Sequence, residues 1–209
     1  MSGNSDIYEA LVNLDEEKVK QLVNEHLVSG VAAETIMEQL QKALIEIGNR
    51  FEEEKYYVPD LLYSGAIMKE ALKILAPKMK GKSVSAKGKV VMGTVFGDIH
   101  DIGKDLVVML LRNSGFEVLD LGVDVEPQRF VEAIKDSGAK VLGMSCLLTI
   151  SFNAIANTVK AIKEAGIRDK VSIMVGGAPV TELVKEKTDC DYYGRDAVNG
   201  LRFVSDVYS

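Results

Sequence analysis

The sequence predicts two domains of different kinds: a four-helix bundle and, after it, a doubly wound sheet of five parallel strands. Two observations support this fold class. Up to about residue 80, apolar side chains recur every three or four positions, which is the helical period. After residue 88 the apolar residues form short, nearly continuous runs separated by helix-length stretches, which is typical of a parallel sheet covered on both faces.

Four helices account for the first domain. A short helix comes first, and the second begins after Asp15 and ends at Gly30. The third helix begins before Ile36, and the fourth starts at Pro59, where a proline loses no helical hydrogen bond. The short loops between them predict a four-helix bundle over residues 1–79.

The segment between the two domains differs from both in composition. Residues 80–89, KGKSVSAKGK, are rich in Lys, Gly and Ser and break the helical period. This composition predicts a solvated, flexible linker. The sheet domain then occupies residues 90–209.

Five strands are predicted in the second domain. Their sequences are KVVMGTVF, GFEVLDLG, AKVLGMS, KVSIMVGG and a weaker DYYG. The helices between them cover roughly residues 103–114, 127–137, 151–165 and 179–187, and a last helix starts at Arg195. Such a (βα)5 chain is most simply a flavodoxin-like (Rossmann-like) sheet, in which ligands bind beyond the carboxyl ends of strands one and three.

Composition argues against several classes of function. The chain has 25 Lys and Arg against 31 Asp and Glu, a formal net charge of -6, which is a poor basis for binding nucleic acid. It has neither an export signal nor an apolar run of about 18 residues, and Cys146 and Cys190 form no disulfide framework or zinc motif. We therefore expect a cytoplasmic protein that binds neither nucleic acid nor membranes.

The loop after the first strand carries the most informative residues. It reads GDIHDIGKD from Gly97 to Asp105, and His100, one of only two histidines, stands between Asp98 and Asp101. A histidine at the ligand-binding edge of the sheet can bind a metal or move a proton. In the alternative interpretation, Asp101 caps the next helix and His100 is an exposed loop residue.

The loops after strands three and four offer room for an organic ligand. SCLLTIS, from Ser145 to Ser151, places three hydroxyls among apolar side chains, which suits a long ligand with polar substituents. Alternatively, its apolar residues close the top of the core. Strand four ends in Gly176 and Gly177, either for a tight turn or because something passes close to the backbone.

Other sites fit the sequence less well. GKS at 81–83 lacks the upstream glycine of a nucleotide phosphate loop. A divalent-metal hydrolase using Asp98, His100 and Asp101 remains an alternative, but it would need further ligands, and His26 lies in the other domain. A phosphoacceptor aspartate would require a lysine after strand five, where the sequence has none.

Three motifs together, DxHxxG at 98–103, SxL at 145–147 and GG at 176–177, resemble the cobalamin-binding domain family. The match is to the class found in methionine synthase and in the small corrinoid proteins of methyltransferase systems. VPDLLYSGAIMKEAL is similar to the helical cap of this family. GTVFGDIHDIGKD, DLGVDV and IMVGGAPVT are similar to its methyl-carrying proteins, so the resemblance covers nearly the whole chain.

The resemblance implies a cobalamin or related corrinoid bound base-off and His-on. His100 would be the lower axial cobalt ligand, replacing the dimethylbenzimidazole tail, and Asp98 and Ser151 would complete a Co-His-Asp-Ser relay. The tail would enter a slot lined by three residues of the third loop, with a glycine pair leaving room. The residues assigned to cofactor binding are Gly97, Asp98, His100, Asp101, Ile102, Gly103, Ser145, Leu147, Thr149, Gly176 and Gly177. In the cap, Tyr57, Leu61 and Met68 are candidates for shielding the upper face, with bundle core as the alternative.

The implied function is methyl carriage. One substrate-specific methyltransferase would load cobalt from a methylated substrate such as methylamine, betaine or methanol. A second methyltransferase would deliver the methyl group to a thiol such as coenzyme M, or to tetrahydrofolate, and a reductive activase would be a third partner. The chain offers no substrate pocket with its own acid, base or nucleophile, so we expect a carrier subunit. The alternative within the same family is a cobalamin-dependent sensor.

Overall fold

The computed structural model describes residues 5–75, 77–78 and 86–209. The chain divides into two compact units, Met1–Ser85 and Ala86–Ser209. Most of the predicted linker lies outside the described residues, and its last residue, Lys89, already belongs to the first strand.

Four helices form the described part of the first unit, as predicted. Leu61 and Met68 are fully buried in its core, which favours the bundle-core interpretation for both, whereas Tyr57 is 65% exposed. The Tyr56 hydroxyl donates to the carbonyl of Val12 at 2.6 Å and so joins the loop between the third and fourth helices to the end of the first helix. The helices are α1 (Ser5–Val12), α2 (Glu16–Val28), α3 (Ala33–Glu52) and α4 (Val58–Leu75).

The second unit contains five parallel strands in the order β2-β1-β3-β4-β5, with helices between them. This is the flavodoxin-like order, so the predicted fold class is confirmed. Its elements are β1 (Lys89–Thr94), α5 (Ile102–Asn113), β2 (Glu117–Asp120), α6 (Pro127–Ser137), β3 (Val141–Ser145), α7 (Phe152–Glu164), β4 (Ser172–Gly176), α8 (Glu182–Thr188), β5 (Tyr192–Gly194) and α9 (Ala197–Val207).

The helices cover both faces of the sheet. The packed pairs are α6 with α7, α7 with α8, and, on the other face, α5 with α9. Phe130 of α6 and Ile155 of α7 are fully buried against the sheet residues Val91, Leu142 and Ile173. Because β1 and β3 are neighbours while their following helices cover opposite faces, a crevice forms at their carboxyl ends.

Helix α8 begins later than predicted. The sequence predicts a helix from residue 179, and the structure starts it at Glu182. The reason is an N-cap: the Thr181 side chain accepts a hydrogen bond from the backbone N–H of Val184.

Candidate cofactor site

The loop that follows β1 is held in shape by hydrogen bonds from the end of β1 and from the loop after β2. The Thr94 hydroxyl donates to the carbonyl of His100 at 2.9 Å. The N–H of Gly97, whose φ of 79° suits glycine, donates to the Asp124 carboxylate at 2.7 Å. Asp124 also donates its own N–H to the carbonyl of Asp98 at 2.9 Å. These contacts fix the shape of the loop.

Asp98 holds the His100 side chain. One oxygen of the buried Asp98 carboxylate accepts from the His100 backbone N–H at 3.0 Å and lies 2.7 Å from Nδ1 of its ring. The other oxygen accepts the backbone N–H groups of Leu147 and Leu148 at 2.6 and 3.0 Å. Both carboxylate oxygens are therefore engaged, and the His100 side chain, 49% exposed, projects from a rigid support.

The ionisation of Asp98 defines the tautomer of His100. Burial alone raises the pKa of Asp98, but hydrogen bonds from His100 and from the two third-loop amides outweigh it and lower the pKa to about 2. An ionised carboxylate only accepts hydrogen bonds, so Nδ1 carries the hydrogen in this pair. In the neutral ring, the lone pair is then on Nε2, which is free to bind a metal ion.

Apolar side chains lie exposed on the loops at this edge of the sheet. Ile99 and Ile102 flank His100 in the first loop, and Ile102 is 86% exposed. Exposed apolar groups gathered on one face are typical of a ligand-binding surface. We call this set the apolar rim; its members are Phe96, Ile99, Ile102, Val123, Leu147 and Ile150.

A cavity of about 320 Å³ lies between the sheet and helices α5 and α9. That volume is in the range of small-molecule sites. We call this cavity the slot. Its walls include Gly103 and Val107 of α5, Ser145 of β3, Gly176 of β4, Gly194 of β5 and Gly200 of α9. The slot therefore begins at the carboxyl edge of the sheet, where His100 also lies.

Comparison with known proteins identifies the family. Residues 88–202 match the sequence model of the B12 binding domain, and residues 4–76 match a second model of the same description. The chain belongs to the B12-binding domain family. The family and the corrinoid cofactor predicted from the three motifs are thereby confirmed.

Relatives match over nearly the full length of this B12-binding chain. The trimethylamine corrinoid protein of Methanosarcina barkeri is 36% identical over 192 residues, which are 90% of this chain and 88% of the relative. A cobalamin-binding protein from Desulfitobacterium hafniense DCB-2 is 30% identical, with a TM-score of 0.85 over 100% of this chain and 98% of its own. The methanol:cobalamin methyltransferase complex of Methanosarcina barkeri shares the fold, with a TM-score of 0.84, 24% identity and coverage of 99% and 79%.

The residues present fit a corrinoid. The imidazole Nε2 of His100 is a suitable cobalt ligand, the apolar rim suits a large organic ring, and the slot can receive an aromatic tail. Four predicted residues, Gly103, Ser145, Gly176 and Gly177, line the slot. The donor set and the cavity therefore agree with the cofactor of the family.

Two predicted residues, Leu147 and Thr149, do not belong to the slot lining. Leu147 and Thr149 were expected to line the slot with Ser145. Leu147 instead donates its N–H to Asp98, and Thr149 begins a short 3₁₀ turn. A Cβ on Gly177 would overlap the carbonyl of Cys146, so this glycine permits close approach of two backbones as well as leaving room in the slot.

Ser151 joins the network by a different route from the expected one. Its buried hydroxyl donates to the carbonyl of Gly97 at 3.2 Å, whereas the Asp98 carboxylate is occupied by His100 and the third-loop amides. Among the described residues, Ser151 therefore makes no direct hydrogen bond to the Asp98 carboxylate, as the expected relay would require. Asp101 stands at the N-cap position of α5, but its side chain makes no capping hydrogen bond.

Sequence reasoning missed a buried ion pair beside the slot. Lys104, in the slot wall, has a side chain only 2% exposed. It donates to the two oxygens of Asp120 at 2.8 and 2.7 Å and to Asp105 at 2.6 Å. Burial lowers the pKa of Lys104, but these two carboxylates outweigh it and raise that pKa. The only sequence signal was a lysine in an otherwise acidic loop, whose partner in β2 was not evident.

The metal-hydrolase alternative gains no support. Among the described residues no group of three or more His, Cys, Asp or Glu side chains could hold a metal ion. Burial raises the pKa of the Cys146 thiol to about 11, so it stays protonated and is a poor nucleophile at neutral pH.

Among the described residues, no helix is long and apolar enough to cross a membrane.

Proposed function

We propose that this protein is a methyl-carrying corrinoid protein in which Nε2 of His100 would hold the cobalt. The observation that carries the proposal is the hydrogen bond between Asp98 and Nδ1 of His100, which leaves Nε2 of this half-exposed ring available at the carboxyl edge of the sheet. A bound corrinoid supplies a cobalt ion that can accept a methyl group and give it up. The remaining chemistry described below belongs to the protein.

Asp98 controls the proton of His100. The ionised carboxylate holds the hydrogen of Nδ1 and increases the basicity of Nε2. A His100 side chain that holds no metal could accept a proton at Nε2, beside the buried negative charge of Asp98. Because four hydrogen bonds keep the pKa of Asp98 near 2, the proton resides on His100 and not on Asp98.

Ser151 acts as a positioning residue in this proposal. Its hydroxyl holds the carbonyl of Gly97, and Gly97 directly precedes Asp98. A hydroxyl bound to this carbonyl fixes the start of the ligand loop. We propose that Ser151 in this way keeps the side chains of Asp98 and His100 in position.

The slot and the apolar rim receive the rest of the cofactor. The exposed rim side chains lie on the loops that flank His100, so the corrin ring would cover them and remove them from water. The slot would take the nucleotide tail that His100 displaces.

Methyltransferases would supply and remove the methyl group. The relative from Methanosarcina barkeri is a trimethylamine corrinoid protein, which supports a methylated amine as the donor. We propose a substrate-specific methyltransferase, an acceptor methyltransferase that uses coenzyme M or tetrahydrofolate, and a reductive activase as partners. Adding the Co(I) protein to a panel of methyltransferases with mono-, di- and trimethylamine would identify the donor.

Axial ligation can be tested directly. Electron paramagnetic resonance of the Co(II) protein should show coupling to one nitrogen, and the triplet should become a doublet when the protein is labelled with ¹⁵N-histidine. His100→Ala should lose this change, while His26→Ala, which removes the only other histidine, should keep it. A spectrum insensitive to the label, or a purified protein that takes up no hydroxocobalamin, would overturn the proposal.

A further inference from the structure

We propose that Met92 and Met174 form an adjustable floor of the slot, so that the protein accepts corrinoids with different tail bases. This inference rests on the proposed use of the slot for the nucleotide tail. It adds a specificity determinant that lies within the sheet and away from the cobalt ligand.

The sheet register places the two methionines at the inner end of the slot. Pairing of neighbouring strands aligns residues in rows, and alternate residues along a strand face the same side. The rows on this face are Thr94–Ser145–Gly176–Gly194 at the carboxyl edge and Met92–Gly143–Met174 next to it. A step of two residues is about 6.6 Å. A ligand entering past Ser145 and Gly176 therefore meets the methionines at about that depth.

Gly143 lets the two methionine side chains meet across β3. A Cβ at this position would overlap the Met92 sulfur and would lie 2.7 Å from the terminal methyl of Met174. The space above β3 is thus filled by side chains from β1 and β4. Both thioethers belong to the slot lining and are nearly fully buried.

The chemistry of methionine makes this floor adaptable. Its side chain is unbranched with three rotatable bonds and a polarizable sulfur, so it fills irregular gaps and packs well on aromatic rings. Most other sheet residues facing the core are branched at Cβ and stiff, such as Val91 and Ile173. Above the floor, Gly200 of α9 leaves Met174 room to move, since a Cβ there would lie 3.8 Å from its sulfur.

Binding titrations with three corrinoids test the inference. The probes are cobalamin, its analogue with an adenine tail base, and cobinamide, which lacks the nucleotide tail. The natural protein should bind the two tailed corrinoids within about tenfold of each other. Met174→Phe fills the space at the floor of the slot and should weaken the binding of both tailed corrinoids by at least about tenfold. Binding of cobinamide should be unchanged. Met174→Leu, which keeps the volume, should preserve the ratio of tailed to tail-less affinity.

A double variant tests adaptability separately from volume. Met92→Ile with Met174→Ile replaces two flexible side chains by stiff ones and should separate the affinities for the two tail bases by more than about tenfold. The inference would be overturned if the natural protein's affinities for the two tailed corrinoids differed by about a hundredfold. It would also be overturned if Met174→Phe weakened the binding of all three probes equally. Failure of the natural protein to bind any probe would instead refute the proposed function.

Discussion

The Asp98 carboxylate accepts the Nδ1 hydrogen of His100 at 2.7 Å while having no exposed surface of its own. The pair joins a buried charge to a half-exposed ring, and the two third-loop amides stabilise that charge. This arrangement fixes the orientation of the imidazole ring that is proposed to hold the cofactor. The first two predictions concern this pair.

Asp98→Asn should weaken the proposed cobalt ligand. The substitution removes the negative charge that faces Nδ1 of His100, and such changes around a metal ligand typically cost about 10- to 100-fold in metal affinity. We expect corrinoid affinity to fall by that factor in a spectral titration. Asp136→Asn is the matched control, because it removes one carboxylate charge at an exposed position of α6, outside the proposed cofactor site. Equal affinities for the two variants would contradict the role of Asp98.

The same aspartate should make the sheet unit sensitive to acid. Its pKa is near 2 when folded and near 3.8 in the unfolded chain, so its stabilising effect is present above about pH 4 and is lost as the pH falls towards 2. The shift corresponds to about 2 kcal/mol. Urea unfolding between pH 6 and pH 3 should show a smaller loss of stability for Asp98→Asn than for the natural protein. Parallel pH profiles would refute this assignment.

Lys104→Met should destabilise the sheet unit by about 2 kcal/mol, because it leaves the half-buried Asp120 without its charged partner. The free energy of urea unfolding measures this loss. Lys89→Met is the matched control: its ion pair with Glu117 spans 3.6 Å and is exposed, so its loss should cost less than about 1 kcal/mol. If both variants lose the same stability, burial of the Lys104 pair has no energetic consequence.

Gly177→Ala should disturb both the third loop and the slot. Its φ of 135° is unfavourable for alanine, and the added Cβ would overlap the carbonyl of Cys146. We expect a loss of at least about 2 kcal/mol in unfolding free energy together with weaker corrinoid binding. Gly103→Ala is the control, because nothing lies within 4 Å of its added Cβ. Its stability should stay within about 0.5 kcal/mol of the natural protein.

Tyr208→Phe should loosen the amino-terminal edge of the sheet. The Tyr208 hydroxyl accepts the N–H groups of Lys89 and Lys140 at 3.1 and 3.0 Å and donates to the Lys89 carbonyl. Its loss should cost about 1 to 2 kcal/mol in thermal or urea unfolding. Tyr193→Phe, on β5, removes a hydroxyl that has no hydrogen bond among the described residues and should be nearly neutral. Corrinoid binding should be unchanged in both variants, since Tyr208 lies at the opposite end of the sheet.

Much of the architecture could be predicted because the spacing of apolar residues along a segment indicates which of its faces is buried. The periods predicted all five strands and the helices between them, with α8 displaced by the unnoticed cap at Thr181. The loop after the first strand stood out because histidine is rare in this sequence and His100 stands next to acidic residues at the end of a strand. Contacts between distant segments left no comparable signal.

The sequence by itself determined the fold class, the switch point of the sheet and the position of the loop after β1, because these depend on local hydrophobic period and on motifs within a few positions. Tertiary structure alone decided that Ser151 binds Gly97 and that Lys104 pairs with Asp120. It also placed Met92 beside Met174 across Gly143. These relationships depend on strand register and on the paths of loops that are far apart in the chain, and register is set only when the whole sheet packs.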